Sequence, residues 1–167
     1  MRNIIDFHTH IFPDALAPRA IASLQLTANL PVTFDGTANG LCDLMKENGI
    51  KKSVVLNTVT NERQVKNVNA FALETAKNYE NLIPFCSVHP LTPDIKNVLA
   101  ELQSSGIKGI KHHPDYVGIE FDDEKTDDLL SAASELGLPL VIHAGFDPVS
   151  PNKMHASPDA IVRVCEK

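Results

Sequence analysis

Two histidines near the start of the chain have the spacing of a metal-binding pair. His8 and His10 are separated by one residue in the run IIDFHTH, whose apolar members predict a buried β-strand. Because strand side chains alternate between two faces, we expect Asp6 to share the face of His8 and His10. Phe7 and Thr9 then take the opposite face. Two imidazoles placed in this way suit a borderline-soft divalent ion, Zn²⁺ first, whereas the alternative is two surface histidines at a frayed terminus.

Further residues that bind metals or transfer protons lie at the ends of later predicted strands. They are His89, Lys111, His113 and His143. The carboxyl ends of parallel strands meet at one edge of an α/β sheet, in open sheets and in (β/α)₈ barrels alike, and that edge holds the active site. We therefore expect the ends of four of the five strands to build one site.

The elements that position these residues alternate along the chain. The predicted strands cover residues 4–10, 52–57, 82–88, 107–113 and 139–143. The predicted helices cover residues 15–24, 40–48 and 61–78, followed by one from Thr92 that Gly106 ends, one from Asp122 that Gly137 ends, and one from Ser157. Residues 25–39 are predicted to form a long loop. This alternation indicates right-handed βαβ units and a parallel sheet.

Two of the helix starts have a strong signature. Thr92-Pro93-Asp94 and Ser157-Pro158-Asp159 each supply a capping hydroxyl, a proline for the first helical position and an acid near the positive end of the helix dipole. No helix stop follows the second signature before Lys167. We therefore expect the chain to end within that helix.

Composition indicates one globular domain over residues 1–167 and argues against several classes of function. Hydrophobic residues make up 43% and charged residues 22% of the chain, which is ordinary for a globular protein. The net charge of −6 argues against nucleic-acid binding, since no basic stripe is present to neutralise phosphates. No apolar run reaches membrane-spanning length. The three widely spaced cysteines are typical of reduced thiols in a cytoplasmic protein.

Three motifs in this order resemble the amidohydrolase superfamily, in its branch of metal-dependent hydrolases and decarboxylases. They are Asp6-Phe7-His8-Thr9-His10 on the first strand, Gly109-Ile110-Lys111-His112-His113-Pro114 on the fourth and Val141-Ile142-His143-Ala144-Gly145 on the fifth. The resemblance spans nearly the whole chain and implies an α/β fold of the (β/α)₈ TIM-barrel type. It also implies that His8, His10 and His143 are ligands of a divalent metal, with Zn²⁺ as the expected ion.

The chain supplies only five β/α units of such a barrel. A (β/α)₈ barrel takes ~250 residues, and the sixth-strand histidine and eighth-strand aspartate of the family have no counterpart in this sequence. The resemblance therefore implies a barrel truncated to its first five units, which we expect to be inactive by itself. The edges of strands one and five would be open, so we expect a homo-oligomer or a second chain to cover them.

The resemblance also suggests roles for residues around the metal. In binuclear members a lysine at the end of strand four is carboxylated and bridges two metals, and Lys111 occupies the matching place. For this mostly mononuclear branch we favour a lysine that points at a substrate carboxylate or stabilises the site electrostatically. His113 shares the face of Lys111 and is expected at the cavity, while His112 faces the helices. His113, Asp115 and Tyr116 are candidates for substrate contact.

Three further residues are expected around the site rather than in it. Asp6 and His89 are candidates for hydrogen bonds that support the metal ligands, with the cavity rim as the alternative place for His89. His155 lies in a loop rich in Pro, Ser and Asn. It is either a lid residue or, as we favour, an exposed side chain.

The chemistry that this set of residues suggests is metal-assisted hydrolysis, in which activated water attacks a carbonyl of a small molecule. The same site can instead bind a carboxylated substrate and release CO₂, and the sequence does not separate the two reactions. Phosphoesterases whose first strand reads Asp-x-His-x-His rank lower, because no Thr-Asp-His or Glu-His pair follows. The non-enzymatic alternative is an incomplete chain that serves as an interaction module.

Overall fold

The computed structural model describes residues 3–28, 31–148 and 150–167, and within them five strands alternate with helices. The strands are β1 (Ile4–Thr9), β2 (Ile50–Leu56), β3 (Leu82–Phe85), β4 (Ile110–His112) and β5 (Leu140–Ile142). The helices are α1 (Ala17–Ala28), α2 (Ala38–Glu47), α3 (Val65–Asn78), α4 (Ile95–Ser104), α5 (Pro114–Val117), α6 (Asp127–Glu135) and α7 (Pro158–Cys165). Short 3₁₀ turns precede α3 and α6.

The strands lie side by side in chain order and all pair in parallel. β1, β2 and β3 form one sheet, and β4 pairs with β5. A bridge between Cys86 and Ile110 joins the two sheets. Here the Cys86 N–H donates to the Gly109 carbonyl at 2.9 Å and the Lys111 N–H donates to the Cys86 carbonyl at 2.7 Å. The predicted α/β fold with parallel strands is confirmed.

Strand β1 differs from its prediction in both burial and alternation. Asp6 pairs with Ser53 and Thr9 pairs with Val55, so three steps along β1 match two along β2. This register shift interrupts the strict alternation that we expected between Asp6 and His10. The Phe7 ring contacts the ring of Phe85 edge-on, with centroids 6.0 Å apart.

The apolar residues of β1 are also exposed rather than buried. Ile5 is 55% and Phe7 56% exposed. Within the described residues β1 lies at the edge of its sheet with β2 as its one strand neighbour, so fewer residues surround its side chains than in a central strand. An apolar run of this length has the same appearance in a central strand and in an edge strand, so the sequence pattern does not distinguish them.

The main core lies between the sheet and three helices, α3, α4 and α6. Its buried members include Val88, Leu99, Ile110 and Leu129. A second cluster packs α2 against β2, and a third joins β2 and β3 through Val54, Leu56 and Phe85. Gly109 leads into β4 where the Phe85 ring comes close. A Cβ atom built on Gly109 would lie 2.4 Å from that ring, so only glycine fits there.

Helices α1 and α7 end at residues other than those predicted. Helix α1 runs to Ala28 and so takes up the first part of the predicted loop 25–39, because no proline or glycine occurs between Pro18, in the first turn of the helix, and Pro31. Residues 29 and 30 of that loop lie outside the described residues. Helix α7 ends at Cys165, and the prediction that it continues to the last residue is wrong.

The two cap-proline signatures have different outcomes. Ser157 caps α7 as predicted, accepting a hydrogen bond from the Ala160 N–H at 3.1 Å. Before α4, however, Asp94 takes a left-handed conformation with φ of 52°, and the helix begins only at the next residue. The Asp94 carboxylate accepts a hydrogen bond from the Asn97 side chain at 2.7 Å. Aspartate tolerates this conformation because its short side chain can bond locally.

Strands β3 and β4 are shorter than predicted. The predicted strand 82–88 ends at Phe85. Cys86 still makes the backbone bridge to Ile110, and at Ser87 a side-chain amide takes over the backbone hydrogen bonds. Asn69 brackets Ser87, accepting from its N–H at 3.0 Å and donating to its carbonyl at 2.9 Å. Strand β4 ends at His112, so His113 begins the loop that follows. None of the helices in the described ranges has both the length and the apolar character needed to cross a bilayer.

Candidate active site

A cavity of about 790 Å³ opens at the carboxyl ends of the strands. Six of the residues that the sequence singled out line it: His8, His10, Lys111, His113, Tyr116 and His143. They come from four places in the chain, namely the end of β1, strand β4 with the residue after it, helix α5, and the residue after β5. The predicted convergence of strand ends is therefore observed for β1, β4 and β5.

The side chains of strand β4 and of the residue after it point to the predicted sides of the sheet. Lys111 and His113 line the cavity, whereas the His112 ring lies against Phe121, with centroids 6.2 Å apart. His112 is 1% exposed, and burial lowers its pKa to about 4. Alternation along a strand thus separates the cavity residues from a core histidine.

His10 has the arrangement of a histidine prepared for a metal. Its Nδ1 lies 2.8 Å from the Leu56 carbonyl oxygen, and because a carbonyl only accepts, Nδ1 carries the proton. Nε2 therefore keeps its lone pair. The His10 ring faces the cavity, but the protein around it shields it from water. This desolvation, and to a smaller extent the nearby His8, lower the pKa of His10 to about 4. A neutral imidazole whose other nitrogen donates to a carbonyl is the usual form of a histidine ligand.

His8 stands beside His10, with ring centroids 5.1 Å apart. His8 is largely exposed, but partial desolvation by the protein around it, and then the Lys111 ammonium, lower its pKa. His143 lines the same cavity. The ligand atoms of His8, His10 and His143 are nevertheless not all within 4.8 Å of one another. The assignment of these three residues as one set of ligands stays a prediction.

A second group of potential ligands lies around His143. Its ring stacks on that of His113 with centroids 4.2 Å apart, and the His113 ring also stacks on Tyr116 at 3.7 Å. One carboxylate oxygen of Asp147, Oδ2, lies 3.4 Å from Nε2 of His113 and 3.5 Å from Nε2 of His143. Among the described residues, His113, His143 and Asp147 form a set whose ligand atoms all lie within 4.8 Å of one another.

Sequence reasoning missed Asp147. The available signal was its place in the loop directly after β5, four residues beyond His143. Such loops carry active-site groups in parallel α/β folds. Nothing in the local sequence pattern links Asp147 to His113, however, because Asp147 follows His113 by 34 positions in the chain.

The charge of the cavity is one-sided. Lys111 is 1% exposed, and burial lowers its pKa to about 8. It takes part in none of the ion pairs seen within the described ranges. Arg63, which sequence reasoning also missed, lines the cavity near the start of α3, and no acidic side chain of the described residues is part of the lining.

Asp115 and His155 differ from their predicted settings. His155 is buried at 8% exposure, so the expectation of an exposed side chain is wrong. Its Nδ1 lies 2.9 Å from Oδ1 of Asp115, and its backbone carbonyl accepts from the Phe121 N–H at 2.8 Å. Asp115 is absent from the cavity lining within the described residues. The pair fastens the loop after β5 to the end of β4.

Asp6 and His89, the two residues expected to support the metal ligands, each accept a hydrogen bond from the backbone N–H two residues further along the chain. The Asp6 carboxylate accepts from the His8 N–H at 3.1 Å. His89 is 7% exposed, and its Nδ1 accepts from the Leu91 N–H at 3.2 Å in the turn after β3. His89 is not among the described residues that line the cavity. This favours a role in holding the turn after β3 over a place at the cavity rim.

A family model described as amidohydrolase matches residues 5–163. The comparison with curated proteins gave no match.

Several solved structures share the fold. A crystal structure of an amidohydrolase II matches with a TM-score of 0.66 and 18% identity, covering 90% of this chain and 53% of that one. A 5-carboxyvanillate decarboxylase from Novosphingobium aromaticivorans, with bound manganese and a nitrobenzoic acid ligand, matches with a TM-score of 0.65 and 18% identity, covering 89% and 52%. A probable 2-pyrone-4,6-dicarboxylic acid hydrolase from Acinetobacter baumannii, with citric acid bound, matches with a TM-score of 0.54 and 18% identity, covering 86% and 50%. The chain thus spans about half the length of these structures.

Proposed function

This chain belongs to the amidohydrolase family, and we propose that it is a metal-dependent hydrolase that directs activated water at a carbonyl of a small molecule. The observation that carries the proposal is that His8, His10 and His143 line one cavity at the carboxyl ends of the strands. The volume of about 790 Å³ is within the range of small-molecule sites. The proposal extends to a cytoplasmic location.

The residues of the cavity fit a divalent metal. His10 offers a lone pair on Nε2, because its Nδ1–H donates to Leu56. His8 and His143 are the further ligands that we propose, and imidazole nitrogens suit Zn²⁺ and Mn²⁺ alike. A divalent ion held there would polarise a carbonyl and lower the pKa of water toward about 7.

The other side chains would bind and orient the substrate. Lys111 brings a cation to the floor of the cavity, where it would stabilise the negative charge that develops on a carbonyl oxygen. The Tyr116 ring stacks on His113, and both side chains line the cavity, where Tyr116 can contact a flat substrate group. Tyr116 has a raised pKa, mainly because it is buried, so its hydroxyl keeps its proton as a donor at neutral pH.

A metal-dependent decarboxylase is the second candidate, and the one-sided charge of the cavity favours it. Lys111 and Arg63 line the cavity, and no acidic residue is part of its described lining. Two cations without a carboxylate in the lining suit a carboxylated substrate, in a protein whose net charge is −6. The release of CO₂ from such a substrate would distinguish this reaction from hydrolysis.

We also propose that the open edge of β1 is covered in the active protein, by a second copy or by another chain. The exposed Ile4, Ile5 and Phe7 support this proposal. A five-unit chain that serves only as an interaction module is the non-enzymatic alternative. Metal binding at the cavity histidines is the property that separates the enzyme from that alternative.

The test combines metal removal with substitution of one ligand. We expect the 167-residue chain by itself to show no turnover, so the assay uses the assembled protein in which the open edges are covered. This metal-loaded protein is assayed on a panel of esters, lactones, amides and carboxylated aromatic acids, with CO₂ measured separately. We expect chelation to abolish turnover, and His10→Gln to lower bound metal and reduce turnover at least ~10²-fold. The exposed Lys108→Gln serves as the control and should behave like the unchanged protein. Turnover that survives both chelation and His10→Gln would rule out the proposed function.

A further inference from the structure

We propose that the cavity binds a carboxylic acid with an extended apolar part, whose carboxylate is held by the cations of the cavity and whose apolar part lies between helices α1 and α3. The inference rests on the proposed function in that it names the class of substrate for the same site. It concerns a second region of the cavity, which we call the α1–α3 groove. Its apolar members are Phe12, Leu16, Ala20, Leu24, Val68 and Phe71.

One face of α3 lines the cavity and changes its character along the helix. Gln64, Asn67, Val68 and Phe71 have the spacing of neighbours on one side of a helix, and all four line the cavity. Arg63 brings positive charge to the start of this face, whereas Val68 and Phe71 make its later part apolar. Arg63 and Phe71 are eight positions apart, which corresponds to about 12 Å along a helix axis. A ligand that contacts both ends is therefore expected to be longer than a single benzoate.

Helix α1 presents an apolar stripe to the same cavity. Leu16, which directly precedes the helix, and then Ala20 and Leu24 are spaced by four residues, so they lie on one side. Ile21 lies on another side, where it packs on Gly36. A Cβ atom built on Gly36, whose φ is 79°, would lie 2.7 Å from the Ile21 side chain. This contact holds α1 by one face and leaves the stripe towards the cavity.

The two walls of the α1–α3 groove differ in how well they are covered. Val68 and Phe71 are partly buried and pack against the hydrophobic core. Leu16 and Leu24, in contrast, are 56% and 39% exposed. Removing apolar surface from water is favourable, so an apolar ligand that covers these two leucines gains binding free energy. The groove is therefore open in the way that a binding site for an apolar group requires.

The charges of the cavity select the polar end of the ligand. Lys111 and Arg63 line it, and no aspartate or glutamate of the described residues is part of the lining. Ammonium and guanidinium groups both bind carboxylates. A neutral apolar ligand would leave the buried charge of Lys111 without a counter-ion, which is costly. A small dicarboxylic acid would leave the groove uncovered. The ligand that complements the whole cavity therefore combines a carboxylate with an apolar chain or ring system.

The test measures the affinity of straight-chain carboxylic acids by calorimetry, on the metal-loaded, assembled protein and below the concentrations at which the acids form micelles. Burial of each further CH₂ group from butanoic to octanoic acid is expected to raise the affinity about threefold to fourfold. Octanol should bind at least ~10-fold more weakly than octanoic acid, because it lacks the charge. An affinity that does not rise with chain length would overturn the inference, and so would equal binding of octanol and octanoic acid.

A substitution in the groove tests where the chain lies. Ala20→Phe fills the space beside Leu16 and Leu24, so we expect it to weaken octanoic acid binding at least ~10-fold and to leave butanoic acid binding unchanged. Ala22→Phe, at an exposed residue of the same helix outside the described lining, is the matched control and should change neither affinity. Equal octanoic acid binding by the two variants would overturn the inference. If Ala20→Phe instead abolishes self-association and leaves acid binding intact, the groove is the docking site of a second copy and the inference fails.

A measurement on the unchanged protein does not depend on how the variants fold. We expect nuclear Overhauser effects between the terminal methyl group of octanoic acid and the methyl groups of Leu24 and Val68, because both residues line the groove. Leu26 is 87% exposed on α1 and should give none. Bound octanoic acid that shows no such effects with Leu24 and Val68 would overturn the inference.

Failure of this inference can be distinguished from failure of the proposed function. The dependence of affinity on chain length should persist in His10→Gln, whereas turnover should not. Turnover that survives chelation and His10→Gln, with the dependence on chain length intact, rules out the proposed function and supports the assignment of the groove. Turnover that chelation abolishes, together with an affinity independent of chain length, supports the proposed function and overturns the inference.

Discussion

At the scale of single residues, Lys111 and Arg63 determine the charge of the cavity. Lys111 is buried, and burial alone lowers its pKa to about 8. Most molecules therefore still have a protonated, positively charged Lys111 at neutral pH. An ammonium group at such a place is costly unless an anion accompanies it. Arg63 lies on the same cavity and can bind a carboxylate with two parallel hydrogen bonds. Together they predict a ligand with at least one carboxylate.

Arg63→Gln tests this prediction. A hydrogen bond to a charged group contributes about 1.5–3 kcal/mol, and about 1.4 kcal/mol corresponds to tenfold in affinity. We therefore expect the variant to bind a carboxylated aromatic acid at least ~10-fold more weakly, measured by calorimetry. Arg19→Gln, on the exposed side of α1, is the control. Equal weakening for the acid and for its neutral amide would argue against a charge interaction.

At the scale of elements, the junction of β3 and β4 depends on one close approach. Gly109 lies beneath the Phe85 ring, which is 3% exposed and contacts Phe7 as well. The same junction carries the bridge from Cys86 that joins the two sheets. A side chain at Gly109 would displace the ring and with it the strand that presents Lys111. The packing of a phenylalanine thus controls the position of a cavity residue.

Gly109→Ala is expected to destabilise the protein by about 1–3 kcal/mol, since overpacking of a close-packed core costs that amount. The measurement is urea unfolding followed by circular dichroism. Adding Phe85→Leu should recover part of the loss, because the smaller side chain makes room for the new methyl group. If the effects of the two substitutions are simply additive, the proposed contact does not determine the stability of this junction.

At the scale of the whole molecule, the sheet ends in an exposed apolar strand. Among the residues that the structure describes, β1 has a strand partner on one side only, and Ile4 and Ile5 are 42% and 55% exposed. An edge strand with unpaired backbone groups and apolar side chains tends to pair with another chain. The molecule as a whole is therefore expected to associate.

Ile5→Lys should shift the protein toward monomer, because a lysine on an edge strand opposes strand pairing. Sedimentation velocity over a range of concentrations measures the effect. Leu26→Lys makes the same change at a residue that is 87% exposed on α1, and it should leave association unchanged. A protein that is monomeric at every concentration before any substitution would show that the edge of β1 is tolerated as it stands.

The sequence by itself determined the features that depend on a few neighbouring residues. The period of two along β4 assigned Lys111 and His113 to the cavity and His112 to the core, because alternation is a property of any extended chain. The cap at Ser157 was equally local, since its hydroxyl bonds to a backbone group three residues away. The alternation of strands and helices likewise predicted the parallel order of the sheet.

Tertiary structure alone decided the features that depend on distant partners. The register shift in β1 is defined by its pairing with β2, so the local pattern could not place it. His155 is buried because Asp115 accepts its hydrogen bond from 40 residues away. Asp147 meets His113 and His143 only because a loop folds back against the end of β4. Short-range periodicity carries no information about which side chains the packing of separate elements brings within a few ångströms of each other.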